Sequence, residues 1–357
     1  MTITYDPQDP AYWDESDLRG EMTRVFDLCH GCRMCFKLCP SFPSLFEMVD
    51  EFDDQDAARL TPAQQDRVVD ECFNCKLCGE MNCPYTPGKH EWELDFPRLM
   101  LRAKAYQQDA GTKPATSRIT DKALAKTDLV GTLNSGPLAP LANKAVGTPG
   151  SPIRKAMAKV VGIHEERILP PYARTRFSTW FKKRTARVSG TKQAEVALFP
   201  TCLVEYQDTQ VGKDLVGVCE HNGVGCSLPE GMRCCGAPAL HQGDLAAFRK
   251  DAAHNVDILA KAIRDAEARG EDLQIVVPQP TCGFVLKNDY PDYLANPDAQ
   301  LVADHTRDAA EYLVGLHKGA DTTLDTTFDL TPSLSDAPSS PSGCPSASVS
   351  GSSGSVL

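Results

Sequence analysis

Residues 29–40 read CHGCRMCFKLCP, so Cys29, Cys32, Cys35 and Cys39 follow C-x2-C-x2-C-x3-C-P. Forty-odd positions on, Cys72, Cys75, Cys78 and Cys83 repeat the pattern with one extra residue, C-x2-C-x2-C-x4-C-P. Triples of thiolates two residues apart suit one corner of a 4Fe-4S cube. The Cys-Pro that follows turns away too sharply to complete the same cube, so the fourth ligand should come from the other run. The expected sets are Cys29, Cys32, Cys35 and Cys83 for one cluster and Cys72, Cys75, Cys78 and Cys39 for the second. Structural zinc also takes four thiolates, but it pairs two Cys-x2-Cys knuckles and explains doubled triples poorly. His30, Arg33, Lys37 and Lys76 stand among the ligands, where they either tune a potential or remain solvated loop residues.

A second group of cysteines lies far along the chain. Cys202 follows an apolar run in FPTC, Cys234 and Cys235 stand in RCCGAP, and Cys282 sits in PQPTCGF. Each adjoins the end of an expected strand or its loop, where an α/β sheet collects its ligands. Cys219 and Cys226 fall inside a helix and a strand and read as small core residues. His90 shows no partner.

These groups need elements to carry them. Leu45, Phe46, Val49 and Phe52 recur at helical spacing, and Thr61 with Pro62 marks the start of another helix. A helical module is expected over 1–108, followed by a Gly- and Pro-rich wrapping connector over 109–192. From 193 to 318 strands at EVALFP, VGCSLPE and LQIVVPQ alternate with helices, the longest running from an Asp244 cap to a Gly270 stop. Alternation of that kind predicts an α/β unit with a parallel sheet. Residues 319–357 are serine-rich, carry a lone Cys344, and are expected to be disordered.

Composition narrows the functions. The chain has 357 residues, 15 cysteines and a net charge of −11. That charge argues against nucleic acid or anionic lipid as a main partner. With no secretory leader expected and reduced thiolates required, the cysteines point to metal or redox chemistry in the cytoplasm. No apolar run approaches the length of a spanning helix, and no G-x-G-x-x-G loop offers a flavin or nicotinamide site.

Cys202 followed 32 positions later by CCGAP resembles the CCG cysteine-rich domain of the heterodisulfide reductase B subunit, the anaerobic glycerol-3-phosphate dehydrogenase C subunit and the iron-sulfur subunits of glycolate and lactate oxidation. The eight-cysteine module resembles the ferredoxin-like half of the same proteins, and VVGIHEERILPPYARTRFSTWF resembles the bridge between their halves. The resemblance implies a multidomain α plus α/β fold: a helical two-cluster ferredoxin-like module, then one CCG domain. It implies two 4Fe-4S clusters and a third iron-sulfur cluster held by Cys202, Cys234, Cys235 and Cys282. Gln279 stands where the noncubane version of this domain has cysteine, so heterodisulfide chemistry is not carried over. The family usually has two CCG repeats, and the serine-rich tail stands where a second should begin. Truncation or a shifted frame is the expectation there, with activity partly or wholly lost.

The implied role is an electron-transfer subunit: a flavoprotein dehydrogenase donates to the N-terminal clusters, and electrons pass through the CCG site to a quinone or another carrier. A membrane-anchoring partner would supply any contact with the inner face of the cell membrane. The alternatives are disulfide or quinone reduction at the CCG site itself, or a cluster-based redox sensor.

Overall fold

A computed structural model describes residues 5–112, 122, 125–188 and 194–318. They belong to one unit, residues 1–323. The serine-rich tail with Cys344 lies outside the described residues.

Helix α1, Glu15–Cys32, starts at Asp14, whose carboxylate accepts from the Asp17 amide, and stops at Arg33 in the left-handed region with φ 56°. Helix α2 spans Ser41–Asp50, so Phe52, which fits its periodicity, falls just past its end. Helix α3, Pro62–Asp70, opens with a complete capping box between Thr61 and Gln64, as the Thr-Pro pair predicts. Helix α4, Phe96–Asp109, is capped by Asp95. Their apolar faces meet in one core that includes Met22, Phe26, Phe42, Val49, Phe96 and Leu99.

The connector is a set of short helices: α5 Thr127–Asn134, α6 Ala139–Val146, α7 Pro152–Val161 and α8 Phe177–Lys183. The chain then enters the sheet domain. Strand β1, Ala194–Leu198, leads to α9, Cys202–Tyr206, and α10, Thr209–His221; β2 is Val224–Ser227. Helix α11, Ala237–Gln242, precedes the long α12, Leu245–Glu267, capped by Asp244 and ending three residues short of Gly270. After β3, Gln274–Val277, come α13 Pro280–Phe284, α14 Tyr290–Leu294, α15 Pro297–His305, β4 Thr306–Asp308 and α16 Ala309–Lys318.

The sheet is wholly parallel in the order β2-β1-β3-β4. Alternate strand residues face opposite layers: Ala197, Ile275 and Val277 pack with α12, whereas Val196, Leu198 and Val276 pack with α10. Both faces are therefore covered, as a parallel sheet requires. Tyr12, Leu101 and Ala105 of the helical module join the α12 layer, so the two modules share a core.

Candidate iron-sulfur sites

The eight N-terminal thiols divide between two cavities. One is lined by Cys29, Cys32, Cys35 and Cys83; the other by Cys39, Cys72, Cys75 and Cys78. Each set therefore takes three cysteines from one run and the Cys-Pro cysteine of the other. Phe42 lines both cavities and forms a common wall. The extra residue of the second run is absorbed by a π-turn over Cys78–Asn82, closed by the Cys83 amide on the Cys78 carbonyl at 2.9 Å. Wide turns of this type concentrate at functional sites.

Local backbone geometry turns donors towards the sulfurs. Asn74 and Lys76 adopt positive φ, 52° and 63°, without being glycine, and the Asn74 amide reaches Cys72 Sγ at 3.4 Å. Strained backbone of this kind is held only where surrounding structure enforces it. Lys104 supplies part of that enforcement, donating to the Cys72 carbonyl at 2.8 Å.

Thiol protonation shows what the cavities need. Burial, then the charges of Cys35, Cys83 and Cys32, pushes the Cys29 thiol well above its ordinary pKa. Burial likewise raises Cys72, against the Asn74 amide and the Lys104 ammonium. Four thiolates form in such a space only beside a compensating cation, a charge that the irons of a cluster would supply. Among the described residues no three His, Cys, Asp or Glu side chains converge closely enough for a single metal ion.

The other candidate residues have structural partners. His30 is buried and pairs through Nε2 with Asp50 at 2.9 Å, and Arg33 also binds Asp50. Lys37 is exposed. His90 sits edge-on to Tyr85 and Trp92, its Nδ1 accepting from the Trp92 amide at 3.1 Å. Lys76 is the exception to the solvated reading: with its side chain only 10% exposed, it donates to both oxygens of Asp289 at 2.7 and 2.6 Å.

In the sheet domain Cys202 begins α9 behind the Thr201 cap, Cys282 lies in α13 beyond β3, and Cys234–Cys235 stand in the loop after β2. All gather beyond the carboxyl ends of parallel strands. Cys235 and Cys282 bring their sulfurs to 3.2 Å, and Cys234 is in hydrogen-bond contact with Cys202 and Cys235. Those two thiol neighbours hold the Cys234 pKa below its ordinary value. Gln279 Oε1 lies 3.6 Å from Cys282 Sγ, at the edge of the group.

Residues invisible to spacing arguments hold this site. Asn255 accepts from the Arg233 amide at 2.8 Å and donates to the carbonyls of Arg233 and Cys234 and to Tyr290 Oη. Tyr290 in turn donates to the Cys235 carbonyl at 3.2 Å. Gly236 has φ +87°, and a Cβ there would stand 2.7 Å from the Phe248 ring, which explains the glycine of CCG. From the connector, Thr127 Oγ1 is 3.3 Å from Cys202 Sγ, and Asp128 accepts from the Cys234 amide at 2.7 Å. Cys219 and Cys226 touch each other, apart from this group, on α10 and β2.

The modules meet beside both sites. Asn74 donates to the His241 carbonyl at 3.1 Å, and the Lys76 ammonium lies 3.8 Å from the centroid of the Phe284 ring. Lys76 follows Cys75 directly, and Phe284 is two residues from Cys282. Among the described residues no helix is long and apolar enough to cross a membrane.

Residues 28–86 match the 4Fe-4S dicluster domain and residues 196–287 the CCG cysteine-rich domain. The anaerobic glycerol-3-phosphate dehydrogenase C subunit of Escherichia coli (strain K12) is 30% identical over 283 residues, covering 70% of this chain and 69% of the relative. Lactate utilization protein A of Bacillus thuringiensis (strain Al Hakam) is 33% identical over 132 residues, 36% of this chain and 51% of the relative. No solved structure matches. With a dicluster domain ahead of a CCG domain and a relative matched over two thirds of its length, this iron-sulfur protein belongs to the family of the anaerobic glycerol-3-phosphate dehydrogenase C subunit.

Proposed function

We propose that this chain is the electron-transfer subunit of a dehydrogenase complex. A flavoprotein partner delivers electrons to two 4Fe-4S clusters, one on Cys29, Cys32, Cys35 and Cys83 and the other on Cys72, Cys75, Cys78 and Cys39. Electrons then reach a third centre on Cys202, Cys234, Cys235 and Cys282 and leave for a quinone or another carrier. The observation that carries the reading is the junction Cys75-Lys76 against Phe284 and Cys282, with the Lys76 ammonium 3.8 Å from the Phe284 centroid. It joins the loop of one cysteine-lined cavity to the CCG site through two touching side chains. The common Phe42 wall joins the two cavities to each other.

In this reading the chain's own residues position and tune. The Asn74 amide and Lys104 fix the Cys72 segment; Thr127 and Asp128 fix Cys202 and Cys234; Asn255 and Tyr290 fix the CCG loop. The clusters supply one-electron chemistry.

The test is iron and sulfide analysis of anaerobically purified protein, with paramagnetic resonance after dithionite reduction, beside Cys202→Ser. About twelve irons falling to about eight in the variant supports three four-iron centres. Eight in both would empty the CCG site and refute the third step.

A further inference from the structure

Twelve of the fifteen cysteines belong to the iron sites proposed above, and Cys344 lies in the serine-rich tail. The two left over, Cys219 and Cys226, meet each other. Seven positions apart, they are in side-chain contact across the turn that joins α10 to β2.

The local fold explains the contact. Helix α10 ends at His221, and Gly223, with φ +77°, reverses the chain into β2. Strand residues of one parity, Val224 and Cys226, then face back onto α10, where Cys219 belongs to the same core as Val216 and Tyr312. The two sulfurs differ in access. Cys219 is fully buried, whereas Cys226 is half-buried on β2, an edge strand of the sheet. A reagent arriving from solvent therefore meets Cys226 first, with Cys219 directly behind it.

The surroundings tolerate charge on this pair. Arg184 binds Glu220, the residue after Cys219, and also donates to the Cys226 carbonyl at 3.4 Å. Glu220 accepts from the Arg187 amide as well, at 3.0 Å. The carboxylate beside Cys219 is thereby neutralised, and a guanidinium stands next to Cys226, a setting that favours thiolate. Contact with the Cys226 thiol lowers the Cys219 pKa and raises that of Cys226, so the pair releases its first proton as a unit and shares the one that remains. A cysteine kept only for its volume needs neither a second sulfur nor a cation beside it.

We propose that Cys219 and Cys226 form a redox-active dithiol, separate from the iron ligands, which a peroxide closes into a disulfide and an external dithiol reopens. The Cys226 thiolate attacks one peroxide oxygen; the O–O bond breaks, Cys226 becomes a sulfenic acid, and the other oxygen leaves, protonated, as water or alcohol. The Cys219 sulfur then attacks Cys226 Sγ, forming the S–S bond and expelling the sulfenic oxygen, which departs as water with the Cys219 proton. Two electrons leave the two sulfurs and reduce the peroxide. A dithiol reverses the change by exchange, its own thiols being oxidised. The link ties α10 to β2, the strand that leads into the Cys234–Cys235 loop. This chemistry is independent of which carrier accepts electrons and of whether the CCG site holds a cluster.

The test uses the full-length protein, purified anaerobically with its clusters and treated with about one equivalent of hydrogen peroxide per chain. The sample is quenched in acid, unfolded, alkylated with iodoacetamide and digested with trypsin. Peptide 214–233 contains Cys219 and Cys226 and no other cysteine. It should pass from doubly alkylated to unalkylated and two hydrogens lighter, with at least about tenfold more of that form than in untreated protein, and dithiothreitol before alkylation should reverse the change. Cys219→Ser should leave a sulfenic acid on Cys226 that dimedone traps, whereas Cys226→Ser should leave Cys219 alkylated and unoxidised. Unchanged cluster absorbance in both variants shows that the fold is intact, and the parent result decides even where a variant fails to fold. A peptide that stays doubly alkylated while the cluster absorbance falls overturns the proposal. So does oxidation of Cys226 to the sulfinic acid with Cys219 still alkylated.

Discussion

Replacing Asp289 by asparagine should destabilise the protein by about 3–5 kcal/mol, because it strands a buried ammonium. Lys76 and Asp289 are only 10% and 5% exposed, and the ammonium reaches both carboxylate oxygens. Burial pulls the Lys76 pKa down and pushes that of Asp289 up, each opposed chiefly by the other's charge. The pair is thus held together against the cost of desolvating both members, and losing one leaves that cost uncompensated. Replacing both, Lys76→Met with Asp289→Leu, removes the charges along with their attraction and should recover most of the loss. Urea unfolding of the cluster-loaded protein, followed by circular dichroism under anaerobic conditions, completes a double-mutant cycle. An Asp289→Asn variant within about 0.5 kcal/mol of the parent, or a double variant no more stable than the weaker single, would refute the argument.

Three further outcomes follow from other contacts. Cys39→Ser should cost about four irons and spare the signal of the Cys29 cavity, because Cys39 lines the cavity of Cys72, Cys75 and Cys78; loss of the other signal reverses the assignment. Burial, then the Lys76 and Lys104 charges, lowers the His241 pKa from 6.5 to about 4. The folded state then binds fewer protons than the unfolded between those values, so stability falls as pH drops through that window, by about 2 kcal/mol at pH 5. His241→Gln should flatten that slope in urea midpoints measured from pH 7 to 5, and parallel curves would contradict the assignment. Gly243→Ala should destabilise by about 2 kcal/mol or more, since φ is +88° and the new Cβ would meet the Lys104 carbonyl oxygen at 2.2 Å; an unchanged melting temperature would disprove it.

Features set by local spacing were legible in the sequence. Cysteine periodicity carries the two N-terminal sets, the Thr61-Pro62 cap starts α3, and three apolar runs become β1, β2 and β3. Strand β4 was not legible: Thr306–Asp308 is three residues with no apolar run, and it forms because β3 offers a parallel edge. Lys76 and Asp289 are 213 positions apart, and neither residue type advertises a buried partner. Asn255, Thr127 and Asp128 are also ordinary polar residues in sequence, brought to the CCG thiols by folding alone.

The exchange of Cys39 and Cys83 between the two cavities bears on how the protein is made. On the ligand sets proposed above, the first cavity cannot be completed until synthesis has passed Cys83, and the second depends on a residue made well before its own triple. Neither half could be matured separately and then joined. Each cofactor would instead have to wait for the two runs to fold against each other, so assembly of either site would follow the folding of the whole module.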